Sequence, residues 1–276
     1  SAVLIELLMT STVHGLKKIK DGSAAASAMV LTLLLPNQIH PVYAALGAAF
    51  AMAVVKHSFG GLGSNWMNPA LGGWLFMRFS WPHAFAKALD GSVEQLPQMG
   101  SAADQAISNF LNKIVFMFVG AQLPPGYIDL FSAQSPGIIA DRAVLALVLG
   151  VAVIAAFEIS RSWLSVLYLA VFGLLFRIAG DANGIWWNGD VIFAFFSGGT
   201  LVTAFILIAD PSSGAKSVPG NVVVVVLAAV LSMVFRVGAS AFYGCFFAVA
   251  LVNALTPFMY NVERRLFYSG SAGVFK

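Results

Sequence analysis

The sequence predicts an all-α protein, a polytopic bundle of membrane helices with an inverted repeat and short broken helices. Hydrophobic residues form 59% of the 276 residues and charged residues only 10%, whereas about a quarter of the residues in a soluble domain are charged. Apolar segments recur along the whole chain, which indicates several embedded helices rather than one anchor. Some segments are short and bounded by Gly or Pro, a pattern typical of discontinuous helices around a central site.

The first apolar segment, residues 2–9, meets the basic loop of Lys17, Lys18 and Lys20 too soon to cross about 30 Å of hydrocarbon. We interpret it as the end of a helix whose beginning is missing; the alternative is a helix that lies in the membrane interface. The later segments that we predict to be embedded are 23–35, 41–57, 69–81, 142–158, 162–178, 198–209 with a lead-in from 190, and 221–260 as two helices that break at Gly238.

Two of these segments are shorter than a bilayer requires. The segment that ends before Pro36 reaches about 20 Å at 1.5 Å per residue, and the one that ends before Pro211 is shorter still. Each follows a glycine and precedes a long segment that ends in a basic residue, Lys56 in the first half and Arg236 in the second. This parallel favours an inverted repeat; the alternative is coincidence.

Loop charges predict the orientation, because Lys and Arg favour cytoplasmic loops. One threading places in the cytoplasm Lys17, Lys18, Lys20, Lys56, Arg161, Lys216, Arg264 and Arg265. The regions are then an N-terminal membrane repeat (1–81), an extracytoplasmic loop (82–141), a C-terminal membrane repeat (142–265) and a cytoplasmic tail (266–276). This threading requires residues 109–122 to be an interfacial or loop helix, and it leaves Arg142, Arg177 and Arg236 on the outer side.

The composition also limits the chemistry. The chain has one cysteine, Cys245, so it cannot form an intrachain disulfide or a thiolate cluster by itself. Its four histidines are dispersed, and we predict no metal site. The net charge of +3 is small and thinly spread, which favours loops at a lipid bilayer over a nucleic-acid surface.

The run Phe196-Ser197-Gly198-Gly199-Thr200 is the most informative about chemistry. Two adjacent glycines let the backbone adopt positive φ and approach a ligand closely. A helix that begins at Thr200 directs unpaired N–H groups and its positive dipole end to one point, where a phosphate is stabilised. The Thr200 hydroxyl is itself open to esterification in this interpretation. The alternative is a glycine hinge whose threonine bonds to its own backbone.

A second glycine-rich run lies between two apolar segments. Its candidate ligand-binding residues are Gly60, Gly61, Gly63 and Asn68. Asn68 followed by Pro69 predicts a helix N-cap with Pro at the first helical position. The alternative for this run is a helix-cap loop without a ligand.

Acidic residues are rare inside the apolar runs. Glu6 is the only one, and an acid within a bundle is a candidate for an ion pathway. Asp21, Glu158 and Asp210 fall near predicted segment ends, and we interpret them as cytoplasmic or cap residues.

Together these motifs resemble the RnfD/NqrB family of membrane redox subunits, most closely RnfD of the Rnf complex. The matching residues are Asp21-Gly22-Ser23-Ala24, TLLLP at 32–36, Phe59-Gly60-Gly61-Leu62-Gly63, Asn68-Pro69-Ala70, Ser197-Gly198-Gly199-Thr200, Asp210-Pro211 and Ala254-Leu255-Thr256-Pro257. Their order and spacing extend from about residue 15 to 265. Chains of this family begin with further membrane sequence, which agrees with a missing start here, and NqrB chains are longer still.

The resemblance implies a covalent flavin. In the family a flavin transferase esterifies the phosphate of FMN to the Thr of an S/T-G-A-T motif, so Thr200 is the expected acceptor, with Ser197, Gly198 and Gly199 as recognition residues. Gly199 stands where the family usually has Ala. Arg236 or Arg177 would offset the phosphate charge; the alternative for both is a membrane-interface anchor. A second, noncovalent flavin such as riboflavin is the candidate ligand of the run at 60–68.

The implied function is that of a membrane subunit of a redox-driven ion-translocating complex of the ferredoxin:NAD oxidoreductase type, in the bacterial inner membrane. It would relay electrons through FMN and couple them to Na⁺ or H⁺ transport. Because the chain lacks an NAD fingerprint and a Cys cluster, it is not catalytically complete alone, and iron–sulfur and flavin subunits are its expected partners. The alternatives are a small-solute channel or transporter with no flavin, and a structural scaffold.

Overall fold

The structure, a computed structural model, describes residues 1–11, 22–58, 65, 67–89, 102–114, 137–142, 144–157, 159–179, 190–211, 214–215, 217–238 and 242–267. Every regular element in these ranges is a helix, so the all-α prediction is confirmed. The helices of the first half are α1 (Ala2–Ser11), α2 (Ser23–Leu34), α3 (Pro41–Phe50, extended by the π-helical segment Ala51–His57), α4 (Pro69–Ser80), α5 (Pro82–Leu89) and α6 (Ala102–Ile114). Those of the second half are α7 (Ile139–Arg142), α8 (Val144–Phe157), α9 (Ile159–Ala179), α10 (Val191–Phe196), α11 (Thr200–Val202, extended by the π-helical segment Thr203–Leu207), α12 (Val218–Gly238) and α13 (Gly244–Phe267).

The predicted embedded segments each correspond to a helix, and the break between the last two follows Gly238 as expected. Within the described ranges, two helical segments, Ser162–Ala179 and Val218–Gly238, are long and apolar enough to cross a membrane. The shorter apolar helices are Ser23–Leu34, Pro41–His57, Val144–Val153 and Gly244–Met259. Large apolar side chains such as Leu149, Val166 and Val234 are exposed on these helices. Exposed apolar surface of this kind fits a membrane helical bundle.

Among the residues that the structure describes, the connection between the halves contains α5, α6 and the beginning of α7. The predicted interfacial helix at 109–122 overlaps α6, which begins earlier, at Ala102, and exposes Ile107 and Phe110; residues 115–122 lie outside the described ranges. The sequence did not predict α5, a short helix that buries Phe85 and Ala88 but exposes Pro82, His83 and Lys87.

The two short helices, α2 and α11 with its π-helical extension, correspond to the two short segments of the sequence. Each begins after a glycine with positive φ. Gly22, with φ +68°, precedes α2, and Gly199, with φ +67°, precedes α11. A side chain would strain the backbone in this left-handed region. α2 has 12 residues, which is about 18 Å at the helical rise, and its end at Leu35 is extended before Pro36.

Contacts at the helix ends show that the two short helices run in opposite directions. At one end of the bundle, the Ile139 N–H donates to the Leu35 carbonyl at 2.8 Å, and Asp141, two residues further on, contacts Gly199. The end of α2 therefore lies on the same side as the start of α11.

The opposite end of the bundle joins the start of α2 to the end of α11. Lys56 contacts Ser23. α4 begins beside the end of α3, because a Cβ on Gly72 would lie 2.6 Å from Val55. Asn68, which caps α4, donates to Asp210 just after α11, at 2.6 Å. These directions agree with an inverted repeat.

Aromatic side chains fill the junction between the halves. Trp74 of α4 is fully buried, and its ring lies 5.2–5.4 Å from the rings of Tyr243, Phe246 and Phe247 at the start of α13. Edge-on and tilted contacts of this length stabilise aromatic clusters. The cluster holds the first half of the bundle against α13.

Candidate functional site

The turn from Ser197 to Thr200 has the geometry expected from its glycines. α10 ends at Phe196, Gly198 and Gly199 have φ of +63° and +67°, and α11 begins at Thr200. A Cβ on Gly199 would lie 2.5 Å from the Phe246 ring. In this chain the turn therefore requires glycine at position 199 for both its conformation and its space, so the Ala that the family usually has there would need a different turn or a differently placed ring.

Thr200 is fully buried, and its hydroxyl has several polar neighbours. Its Oγ1 lies 2.8 Å from the Ala194 carbonyl and 3.0 Å from the Ser197 carbonyl, either of which can accept its proton. The Cys245 thiol lies 3.8 Å away. Thr200 thus stands at the start of a buried helix, as predicted, but its hydroxyl bonds within the protein.

Arg236 lies directly against this hydroxyl. Its Nη1 donates to Thr200 Oγ1 at 2.7 Å, to the Ala194 carbonyl at 2.7 Å and to the Ser197 carbonyl at 2.9 Å, while Nη2 donates to Ser197 Oγ at 2.5 Å. The last carbonyls of a helix have no partner in the helix itself, and here one guanidinium satisfies two of them at the end of α10. The sequence named Arg236 as a candidate beside Thr200. Instead of an interface anchor, the structure shows a buried side chain.

Arg177, the other candidate, is exposed near the end of α9. α9 instead contributes rings to the site, because the Arg236 guanidinium lies 5.9 Å from the centroid of the Phe172 ring and 5.8 Å from that of Phe176. Such cation–π contacts stabilise a desolvated arginine.

Asp141 is the residue of this site that the sequence did not identify. Its buried carboxylate accepts hydrogen bonds from the Gly199 N–H, with Oδ1 at 3.0 Å and Oδ2 at 3.2 Å. Burial raises the pKa of Asp141 to about 7, against the opposing effects of the Gly199 N–H, the Arg236 charge and the Gly198 N–H. The sequence separation of 58 between Asp141 and Gly199 explains why no local pattern revealed the contact.

The arrangement does not leave the turn free for an FMN phosphate. The Asp141 carboxylate already accepts from Gly199, which is one of the donors that a phosphate would use. Arg236 donates to protein oxygens, and Thr200 has no exposed surface. Esterification of Thr200 therefore requires the turn to open or to be modified before it packs.

The second candidate site is described only in part. Gly60, Gly61 and Gly63 lie outside the described residues. Asn68 is the N-cap of α4, as predicted, because its Oδ1 accepts from the Ala70 N–H at 3.0 Å and from the Leu71 N–H at 3.4 Å. Asn65 is buried, and its Oδ1 accepts no hydrogen bond from the described part of the chain. A buried acceptor of this kind fits a polar partner contributed by the loop or by a ligand.

A further polar cluster lies at the opposite end of the bundle. Lys56 Nζ is 2.5 Å from Glu6 Oε1 and donates to Ser23 Oγ at 2.6 Å. The sequence singled out Glu6 but counted Lys56 among the cytoplasmic loop charges. The structure corrects this placement, because Lys56 is only 3% exposed within the bundle. A buried lysine requires a carboxylate partner, and that partner lies 50 residues away. No group of three or more metal-ligating side chains occurs among the described residues.

Comparison with known proteins gives a match over nearly the whole chain. The model of the NQR2, RnfD, RnfE family matches residues 1–268. A similar protein is the D subunit of the proton-translocating ferredoxin:NAD⁺ oxidoreductase complex of Clostridium ljungdahlii, 27% identical over 93% of this chain and 77% of its own length. The D subunit of the Na⁺-translocating ferredoxin:NAD⁺ oxidoreductase complex of Acetobacterium woodii is 25% identical over 97% of this chain and 79% of its own length. The B subunit of the Na⁺-translocating NADH-quinone reductase of Chromohalobacter salexigens is 26% identical over 87% of this chain and 59% of its own length.

Proposed function

Because this chain belongs to the NQR2, RnfD, RnfE family, we propose that it is a membrane subunit of a redox-driven ion-translocating complex of the ferredoxin:NAD oxidoreductase type. The observation that supports the proposal is the family match over residues 1–268. The buried polar clusters at the starts of the two short helices, which lie at opposite ends of the bundle, also fit a protein that takes part in ion transport.

Within the family we place the chain in an Rnf-type complex, as a multi-pass protein of the bacterial inner membrane. This proposal is supported by the resemblance of its sequence motifs to RnfD.

The chain needs partner subunits for its redox chemistry. Its single cysteine is buried at the start of α13, and one thiolate does not hold an iron–sulfur cluster. Electrons must enter and leave through iron–sulfur and flavin subunits, and the exposed apolar faces of the helices provide surfaces for them as well as for lipid.

A covalent FMN on Thr200 is the finer part of the proposal. It is supported by the family resemblance of the motif and by the position of Thr200 at a helix start, whereas the complete burial of its hydroxyl weighs against modification of the packed turn. A flavin transferase would have to act while the turn is open. A second, noncovalent flavin at the loop that ends in Asn68 is a separate proposal, supported by the buried Asn65 acceptor.

The function is tested in inverted membrane vesicles from cells that have or lack this chain. We expect ferredoxin-dependent NAD⁺ reduction and the coupled uptake of Na⁺ or H⁺ to be lost without the chain and restored by its expression. Undiminished reduction and ion uptake without it would contradict the proposal. Loss of the uptake of a small solute, with the redox activity intact, would instead establish the transporter alternative.

The flavin is tested separately, by co-expression with a flavin transferase. A covalent FMN on Thr200 predicts a fluorescent band on a denaturing gel and the mass of FMN on the peptide of residues 196–209, both absent in Thr200→Ala. An unmodified peptide from an active complex would show that Thr200 carries no flavin, and it would leave the proposed role of the chain in the complex unchanged.

A further inference from the structure

The two short helices begin in the same way. Each follows a glycine with positive φ, Gly22 at +68° and Gly199 at +67°, and in each the first helical residue has a hydroxyl group, Ser23 in α2 and Thr200 in α11. The N–H groups of a first helical turn have no partners within the helix. The position of such a turn therefore depends on contacts from other elements.

In both halves a basic side chain on the next long helix makes such a contact, with the hydroxyl of the first helical residue. Lys56 donates to Ser23 Oγ at 2.6 Å over a separation of 33 residues. Arg236 donates to Thr200 Oγ1 at 2.7 Å over a separation of 36 residues. The similar separations and the identical type of contact indicate that the two arrangements correspond to each other in the repeat.

Each basic side chain also interacts electrostatically with one buried acidic side chain. Glu6 pairs with Lys56, while the charge of Arg236 acts on Asp141, which holds the backbone of the second turn through Gly199. A buried cation without a nearby anion or hydrogen-bond acceptors is costly. Glu6 therefore keeps Lys56 in place, and protein oxygens keep Arg236 in place. The two bases, together with Asp141 at Gly199, hold the turns.

We propose that these two polar clusters are equivalent locks on the two broken helices. The first lock consists of Glu6, Lys56 and Ser23, and the second of Asp141, Arg236 and Thr200. In each, the base fixes the first turn of a short helix through its hydroxyl, and release of the base frees that turn to move. Because the short helices run in opposite directions, the locks act at opposite ends of the bundle. The protein can thus open one end while the other stays closed. The second lock belongs to the chain whose Thr200 hydroxyl is unmodified, because esterification of that oxygen requires the turn to open; the first lock does not involve Thr200.

Cys245 is a native reporter for the second lock. It is the only cysteine of the chain, it is fully buried, and its Sγ lies 3.8 Å from Thr200 Oγ1. A thiol reagent reaches Cys245 only when the surrounding structure opens, so its labelling rate reports the population of the open turn.

The experiment is the labelling of Cys245 by N-ethylmaleimide in the complex in native membranes of cells that lack a flavin transferase, so that Thr200 is unmodified in the wild type and the comparison does not depend on the proposed FMN. Thr200→Val keeps the shape of the side chain and removes the hydroxyl that Arg236 holds. We expect labelling to be about tenfold faster, the factor that corresponds to about 1.4 kcal/mol in the opening equilibrium. Arg236→Lys, which keeps the charge but has fewer donors, should give a smaller increase and serves as the variant with less risk to folding.

The matched control is Thr256→Val. This buried threonine of the same helix donates to the Val252 carbonyl at 3.1 Å, about 16 Å along α13 from Cys245. Its variant should label at the wild-type rate. Equally slow labelling of Thr200→Val and wild type, or equal increases in Thr200→Val and Thr256→Val, would overturn the lock.

The first lock is tested in a Cys245→Ala background that contains Ala24→Cys. Ala24 is a buried residue of the first turn of α2. Ser23→Ala, which removes the Lys56 contact, should increase labelling at position 24. Ser27→Ala should not, because that hydroxyl bonds to the Ser23 carbonyl within its own helix. A response at position 245 without one at position 24 would show that the two clusters are not equivalent.

Discussion

Arg236 joins three elements of the second half through one guanidinium group. From α12 it reaches the last carbonyls of α10, the Ser197 side chain in the turn and the Thr200 hydroxyl of α11. Its donors face protein oxygens, and two phenylalanine rings lie beside it. The positive charge of Arg236 and the fixed arrangement of its donors both stabilise the turn from Ser197 to Thr200.

Replacement of Arg236 by Met is expected to lower the stability of the protein by roughly 3–5 kcal/mol, because the variant leaves buried oxygens without a donor. The measurement is the free energy of unfolding of the purified complex in detergent. Arg177→Met, which removes an exposed arginine of α9, is the control and should change stability by less than about 1 kcal/mol. Similar losses in the two variants would show that Arg236 is not a structural centre of the turn.

Asp141 predicts a pH dependence of stability. Its pKa is raised from 3.8 to about 7 in the folded protein, so the folded state binds a proton more tightly than the unfolded state. The carboxylate therefore destabilises the fold most above pH 7, and this cost falls as the pH decreases towards 4. Asp141→Asn, which mimics the protonated group, should melt higher than wild type at pH 8, with a smaller difference at pH 5.5. A difference that does not vary with pH would contradict this assignment.

At the scale of elements, two glycines differ in why glycine is present. One is required by the backbone conformation, and the other only lowers the helix propensity of its segment. Gly199 combines a positive φ with a close approach to Phe246. Gly150 lies in α8, where a Cβ would meet no atom within 4 Å. The two residues are alike in sequence and opposite in structural role.

Gly199→Ala is expected to destabilise the protein by roughly 2–5 kcal/mol, the sum of strain in the left-handed region and overpacking against an aromatic ring. Gly150→Ala should instead be neutral or stabilise it by up to about 1 kcal/mol, because Ala favours a helix over Gly. Thermal unfolding of the two variants tests the difference. A neutral Gly199→Ala would mean that the turn is not built as described.

At the scale of the whole molecule, a polar contact and an aromatic cluster help to join the two halves. Asn68 Nδ2 donates to Asp210 Oδ2 across 142 residues, at the end of the bundle opposite the Asp141 contact. Aromatic packing around Trp74 supplies an apolar part of the junction. The polar contact therefore helps to set how the repeats meet.

A double-mutant cycle of Asn68→Ala and Asp210→Ala measures this contact. We expect a coupling energy of about 0.5–3 kcal/mol, since the effects on stability of substituting two hydrogen-bonded neighbours do not simply add. The Asn68 variant alone also loses the N-cap of α4, at about 1 kcal/mol, and the cycle removes that contribution. Additive effects of the two substitutions would show that the halves are not coupled at this point.

The sequence predicted the helices better than their polar contacts. Hydropathy and the residues Gly22, Pro36, Pro69 and Pro211 located the segments, and α2, α4 and α11 begin where the sequence indicated. Lys56 was misplaced because a basic residue at the end of an apolar segment usually faces water. Asp141 was missed because nothing in its neighbourhood distinguishes it from other acids of the connection.

The sequence by itself determined the all-α class, the order and length of the apolar helices and the positions at which two of them are broken. These properties depend on local backbone preferences and on the transfer of apolar side chains out of water, both of which act over a few residues. Only the tertiary structure decided that Lys56 meets Glu6 and Ser23, and that Asp141 and Arg236 converge on the turn before Thr200. The physical reason is that a buried charge is tolerated only beside its partner, and these partners lie 33 to 58 residues apart along the chain.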